Sequence, residues 1–180
     1  MTNNKLLILI RDIQNFLIIS SLLFSVSCSA IAAEKHMLEA EVAELIGGAN
    51  KLADTSASGG NLVSLTKSGE GIKFTNLPLA NKLAIRYASV SAGTISVVIN
   101  DQPVRKVNVH SSGAAIGSFL NAIIDVEFPA NATLTISLAD NDVTVNIDKI
   151  LVGDGDLGLP PDIWNLPPLK VADGPYSADW

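Results

Sequence analysis

A chain of 180 residues with 18 acidic and 12 basic side chains, net charge −6, is a poor match for nucleic acid or an anionic membrane surface. Its length suits one domain, and its 48% apolar content is inflated by the N-terminus. Neutral ligands and cations remain compatible with it.

Residues 1–32 read as a signal peptide. Lys5 and Arg11 stand near its start, the apolar run Phe16–Val26 follows, and Ala30-Ile31-Ala32 forms a small-residue exit. A transmembrane anchor needs about 20 apolar residues, and the Arg11-Asp12 break leaves fewer. Cleavage is expected at Ala32 or Ala33, which makes the protein secreted or periplasmic. In "SVSC", Ser25 stands where a lipoprotein signal favours a larger aliphatic residue, so Cys28 is expected to leave with the leader unlipidated. Cys28 is the only cysteine, so the exported chain is held by no disulfide. Loss of the leader removes Lys5, Arg11 and Asp12 and takes the net charge to −7.

The exported chain opens with "HMLEAEVAEL", in which Leu38, Ala40 and Val42 alternate with Glu39 and Glu41. Read as a strand, this puts both carboxylates on one face, where like charges repel. Either that face is solvent or a cation lies against it. From His36 to Val152 the chain is a series of short runs rich in Val, Ile and Thr. "GGNLVSL" follows the loop "NKLADTSASGG"; then come "EGIKFTNL", "NKLAIRYASV", "GTISVVIND", "QPVRKVNVH", "AIIDVEFPA", "ATLTISLAD" and "VTVNIDKILV". Gly, Asn, Asp or Pro marks the joints, and the spacing predicts an all-β sandwich over residues 36–152. A hairpin is predicted to turn at Asn100-Asp101. The last strand holds a carboxylate, Asp148, among Ile147, Ile150 and Val152. Pairing of first and last strands would bring it within reach of Glu39 and Glu41. Three carboxylates together call for a hard cation with oxygen ligands, and calcium suits flexible loop geometry.

Beyond Val152 the sequence turns to "GDGDLGLPPDIWNLPPLKVADGPYSADW", with two Pro-Pro pairs and both tryptophans, Trp164 and Trp180. Residues 153–180 are predicted to be a Pro/Gly-rich linker leading to a further domain. "DGDLG" at 154–158 resembles the start of an EF-hand loop but has no Glu at the twelfth position, and a solvated turn is the expected form. No catalytic residues are assigned. His36 and His110 are the only histidines and read as surface residues, no serine lies in an elbow motif, and a domain this small has little room for a glycosidase cleft.

Taken together, "LEAEVAEL", "ASGGNLVSL", "GEGIKFTNLP", "LAIRYAS", "ISVVINDQPV" and "PANATLTISLADNDVTVNIDKILV" resemble the calcium-bearing β-sandwich carbohydrate-binding modules of families six and thirty-five, across residues 37–152. The resemblance implies a jelly roll in which Glu39, Glu41 and Asp148 hold a structural Ca2+, completed by backbone carbonyls of the 58–61 loop. It also implies a sugar cleft among the loops at one end, with Asn146 hydrogen-bonding hydroxyls and Phe119 as a stacking surface. A second aromatic position falls near Leu65, which is not aromatic. Tyr87 shares a face with Leu83 and Ile85 and is expected in the core; Arg86 lies on the opposite face. "LPPLKVADGPYSADW" is similar to the lead-in of some bacterial α-L-fucosidase-like glycosidases. The expected function is a monomeric, exported, non-catalytic module that binds neutral glycans and targets a tethered glycosidase. The rivals are an adhesion or spacer domain of the same fold and the N-terminal fragment of a glycoside hydrolase.

Overall fold

The computed structural model describes residues 34–159. The leader with Cys28, the cleavage site at Ala32 and Ala33, and the chain beyond Leu159 with Trp164 and Trp180 lie outside the described residues. In chain order the elements are β1 (His36–Glu39), a 3-10 turn (Ala40–Val42), β2 (Glu44–Ile46), β3 (Asn50–Ala53), β4 (Asn61–Leu65), β5 (Gly71–Leu77), β6 (Ala80–Ala88), β7 (Gly93–Ile99), β8 (Arg105–Val109), β9 (Leu120–Phe128), β10 (Ala132–Ser137) and β11 (Val145–Gly153). They form two antiparallel sheets. One runs β3-β4-β11-β6-β9 with β1 also paired to β11; the other runs β2-β5-β10-β7-β8.

Two-residue alternation drives this arrangement. In β10, Ala132, Leu134 and Ile136 point into the core while the residues between them are only partly covered. In β9, Ala122, Ile124, Val126 and Phe128 are buried and Asp125 and Glu127 exposed. The inward rows of both sheets meet in one core that includes Leu83, Ile85, Ile95, Val107, Leu134, Ile147 and Ile150. Each such aliphatic side chain contributes about 1.5–3 kcal/mol by leaving water. The sandwich expected from the sequence is therefore the fold. Tyr87 is in its core, 2% exposed, and its hydroxyl accepts the His110 N–H at 2.7 Å.

Two local expectations change and a third holds. "HMLEAEVAEL" is not one strand: β1 stops at Glu39, and the 3-10 turn carries the chain across the sandwich to β2 in the other sheet. Ala40, fully buried, is small enough for that crossing. The loop "NKLADTSASGG" contains β3, an edge strand whose four residues are all exposed, so its side chains carry no inward-outward signal. The β7–β8 hairpin turns at Asn100-Asp101 as expected, with Asn100 at φ 51° and the Gln102 N–H on the Ile99 carbonyl at 3.0 Å. Its loop is long, because the ladder between the two strands ends at Val97–Arg105 while Val98 and Ile99 go on pairing with β10.

One glycine is fixed by a close approach. Gly47, at φ +67°, follows β2, and a Cβ there would overlap the Gly69 carbonyl oxygen and stand 3.1 Å from Glu70 Cα. Both neighbours are backbone and cannot yield cheaply. Gly47→Ala should cost clearly more than Gly60→Ala, which bears the positive-φ strain of about 1 kcal/mol but meets open space; urea unfolding of both compares them.

Candidate functional site

The site is built where three strands share one ladder. On a single edge of β11, β4 pairs with Val145–Ile147 and β1 with Lys149–Val152. Asp148 falls in the gap between them. The register against β6, on the other edge, shifts at the same place, between Ile147 and Lys149. Freed from the ladder, Asp148 is covered completely, 0% exposed. One carboxylate oxygen accepts the Ser58 N–H at 2.7 Å, and the other pairs with the Arg86 guanidinium from β6.

Glu39 and Glu41 reach the same region from the other side. Although they do not share a strand, both flank Gly59, next to Ser58: a Cβ on Gly59 would overlap Glu41 Oε1 and lie 3.5 Å from Glu39 Cγ. Each glutamate keeps one buried oxygen, Oε2, with no hydrogen-bond partner. A buried carboxylate oxygen without a partner is costly, and two such groups around one loop form an acceptor-only environment suited to a hard cation. Glu39 and Glu41 thus fit a calcium ion. Asp148 faces Ser58 and Arg86 instead, and among the described residues no three His, Cys, Asp or Glu side chains are arranged to hold a metal together.

Asn146 and Phe119 lie toward the 110–119 loop. Asn146 is 8% exposed between Ser64 and Ala88 in the sheet, and its Nδ2 donates to the Ala115 carbonyl at 2.6 Å. The Phe119 ring is covered on one face by Arg86, whose guanidinium carbon is 4.0 Å from the ring centre. Leu65 is fully buried in the core. The 110–119 loop is tied to the 54–60 loop by Asp54, which accepts the Gly117 N–H at 2.9 Å and the Ser56 N–H at 2.9 Å. Hydrogen bonds from the Ser56 hydroxyl, then from the Ser56 and Gly117 N–H groups, hold its carboxyl below the usual range.

Beside this network, on the outer face of the six-stranded sheet, is a groove of about 450 Å³. Met37, Ala84 and Leu151 give it an apolar floor; Arg86, Lys149, Asn121 and Ser58 rim it with polar groups, and among the described residues no carboxylate lines it. The Lys149 ammonium donates to the Ser58 hydroxyl at 2.9 Å, which joins the groove to the Glu39–Glu41 loop. Sequence reading singled out Arg86 but missed Lys149 and Asn121. Their signal was alternation, since Lys149 and Leu151 are the less buried partners of Ile150 and Val152. An apolar strip flanked by donors suits a ligand with hydroxyls on its edges and C–H groups on its faces.

Residues 40–152 match the family model Endotoxin_C, described as delta endotoxin. Among solved structures, the family 35 carbohydrate binding module from Clostridium thermocellum is 24% identical with a TM-score of 0.57, covering 65% of this chain and 97% of that one. The exo-beta-1,3-galactanase from Phanerochaete chrysosporium, solved with galactose, is 19% identical with a TM-score of 0.60 over 66% of this chain and 29% of that chain. The catalytic unit of the GH87 alpha-1,3-glucanase from Streptomyces thermodiastaticus is 23% identical with a TM-score of 0.55 over 71% of this chain and 28% of that chain. The protein thus spans less than a third of the two enzyme chains it matches. At these identities the likeness is one of fold. No curated protein sequence gives a significant match.

Proposed function

The chain belongs to the Endotoxin_C family, delta endotoxin, over residues 40–152, and from that premise we propose that it is an exported, non-catalytic module that binds glycans in the groove on the outer face of its six-stranded sheet. The observation that carries this reading is the groove itself: Met37, Ala84 and Leu151 offer an apolar strip to a sugar ring, and Lys149, Asn121 and Arg86 offer donors to its hydroxyls. Occurrence of the same sandwich in a carbohydrate binding module and within two polysaccharide-degrading enzymes supports it. Tethering to a glycosidase, as in the enzymes of which this fold is one part, is the arrangement in which such a module acts as an anchor for the neighbouring domain.

Within this reading Asn146 and Phe119 serve the ligand end, through the Ala115 carbonyl and through the stack with Arg86. A calcium ion would be held by Glu39 and Glu41, whose buried Oε2 atoms lack partners, and Asp148 would join them only by loosening its hold on Arg86. Such an ion would supply charge neutralisation and rigidity, with no part in bond cleavage. The adhesion or spacer alternative has two observations in its favour. Asn146 is spent on a backbone carbonyl, and Phe119 has one face covered.

Calorimetry against oligosaccharides found on a glycan array tests the reading. Wild type should bind with about −4 to −6 kcal/mol, the millimolar to tens-of-micromolar range expected of a groove without a tryptophan. Lys149→Ala and Asn121→Ala should each weaken binding about tenfold, the scale of one lost polar partner. Binding that Asn146→Ala and Phe119→Ala abolish, with the two groove variants unaffected, would move the site to the loop end. No binding to any array glycan would favour the spacer.

A further inference from the structure

Asp148 stands between two cationic demands. Its carboxylate is buried completely, and what neutralises it in this structure is Arg86. Ser58 donates its N–H to Asp148, and Gly59, the next residue of the same loop, lies against Glu39 and Glu41, each with a buried oxygen lacking a partner. One loop thus links Asp148 to the two glutamates, with Arg86 and Lys149 as the nearby cations. The Arg86 guanidinium also rims the groove and stacks on Phe119. One side chain thus connects the acidic corner, the groove and the aromatic ring.

We propose that Arg86 and a divalent cation at Glu39 and Glu41 compete for Asp148, so that cation binding releases the Arg86 guanidinium into the sheet groove. The proposal rests on the cation and groove readings above and adds the link between them. The physical reason is charge balance in a poorly solvated place. With no divalent ion, Asp148 has Arg86 as its countercharge, since an unpaired buried carboxylate is far more costly than a paired one. A divalent ion at the two glutamates supplies positive charge to the same corner, and Asp148 then needs the guanidinium less. Arg86 has five donors in a planar fork, and those withdrawn from Asp148 face the groove, where hydroxyls or an acidic group of a ligand can accept them. Lys149, held on the Ser58 hydroxyl, feels the same change through the loop. Coupling of this kind is reciprocal: whatever engages Arg86 in the groove must tighten the cation site by the same factor. Arg86 is here a positioning residue for the cation and a binding residue for the ligand.

The test uses the full chain and calcium alone, so that no glycan need be known. Side-chain Nε–H resonances of arginine are followed by NMR during a calcium titration, Arg86 being assigned by its loss in Arg86→Lys. Arg105, which donates to the Asp125 carbonyl on the far edge of the sheet, is the internal control. The Arg86 resonance should move saturably, with the same midpoint as calcium binding by calorimetry, while that of Arg105 stays fixed. Arg86→Gln should bind calcium about tenfold more tightly than wild type, because the competitor for Asp148 is gone. Arg86→Lys, which keeps a charge but loses the fork, should show the same direction and a smaller gain, and covers the case in which Arg86→Gln does not fold. Calcium binding with a stationary Arg86 resonance, or with unchanged or weaker affinity in both variants, overturns the link and leaves the cation reading standing. Absence of calcium binding by folded wild type overturns the cation reading and the link with it.

Discussion

Chelation of divalent ions should lower the melting temperature of the full chain by roughly 10 °C relative to the calcium-loaded form. A ligand that binds only the folded state adds about 2.7 kcal/mol at a hundredfold excess over its Kd. For a domain of this size each kcal/mol moves the midpoint by about 4 °C. The structural ground is the pair of partnerless buried oxygens, Glu39 Oε2 and Glu41 Oε2, around Gly59. The same ground gives a reversal of sign that a merely structural role for these residues would not produce. In calcium, Glu41→Gln should be less stable than wild type, having lost a ligand. In chelator it should be at least as stable, because it removes one of two neighbouring like charges, each with a buried oxygen that has no partner. Differential scanning calorimetry of both proteins in both buffers decides the matter. A wild-type melting curve indifferent to chelator would remove calcium from the account of this fold.

Much of the sandwich is legible in the sequence for a simple reason. Strands such as β9 and β10 have one face in the core and one toward water, and that asymmetry is written as alternation. Where the asymmetry disappears, so does the signal. β3 is exposed along its whole length, and β2 spans only three residues with the first two exposed, so neither has an apolar row to read. The paired glutamates illustrate a different limit. Their convergence on one loop was legible as a repulsion needing an explanation, yet the path was not: a 3-10 turn, not a shared strand face, brings them together. Asp148 was visible as a charged residue in an apolar strand. What it bonds to was not, because its partner Arg86 lies 62 positions earlier and meets it only through the irregular register of β11 against β6. The groove was hidden for the same reason, being assembled from β1, β6, β9 and β11 and the 54–60 loop.

Asp142→Ala should cost about 3–4 kcal/mol and flatten the acid side of the stability profile. Asp142 lies in the turn before β11 with its side chain fully covered, and it gathers donors from that turn and from β7 and β8. The Thr94 and Ser96 hydroxyls donate at 2.6 Å each, the Ala139 N–H at 2.9 Å and the Lys106 ammonium at 2.8 Å. Truncation leaves a backbone N–H and two hydroxyls short of their acceptor, at about 1 kcal/mol or more apiece. The ammonium is nearly half exposed and turns to water at little cost. Burial alone would raise the Asp142 carboxyl, but the bonds from Lys106, Ser96, Thr94 and Ala139 outweigh it and hold the group below its ordinary value. A carboxyl lowered by folding contributes its stability above the unfolded-state value near 4 and loses it as pH falls through the folded one. Wild type should therefore hold its urea midpoint from pH 7 to about 5 and lose it steeply below. Glu70, lowered chiefly by the Thr66 N–H, titrates in the same direction and is the reason the variant is needed. Asp142→Ala starts lower at pH 7 and should draw closer to wild type as pH falls through the lowered folded value, because the charge-dependent part of the contribution it lacks is the part acid removes. Parallel profiles that never converge would mean that the cost of the substitution comes from packing of the turn, with no share from the carboxylate's charge.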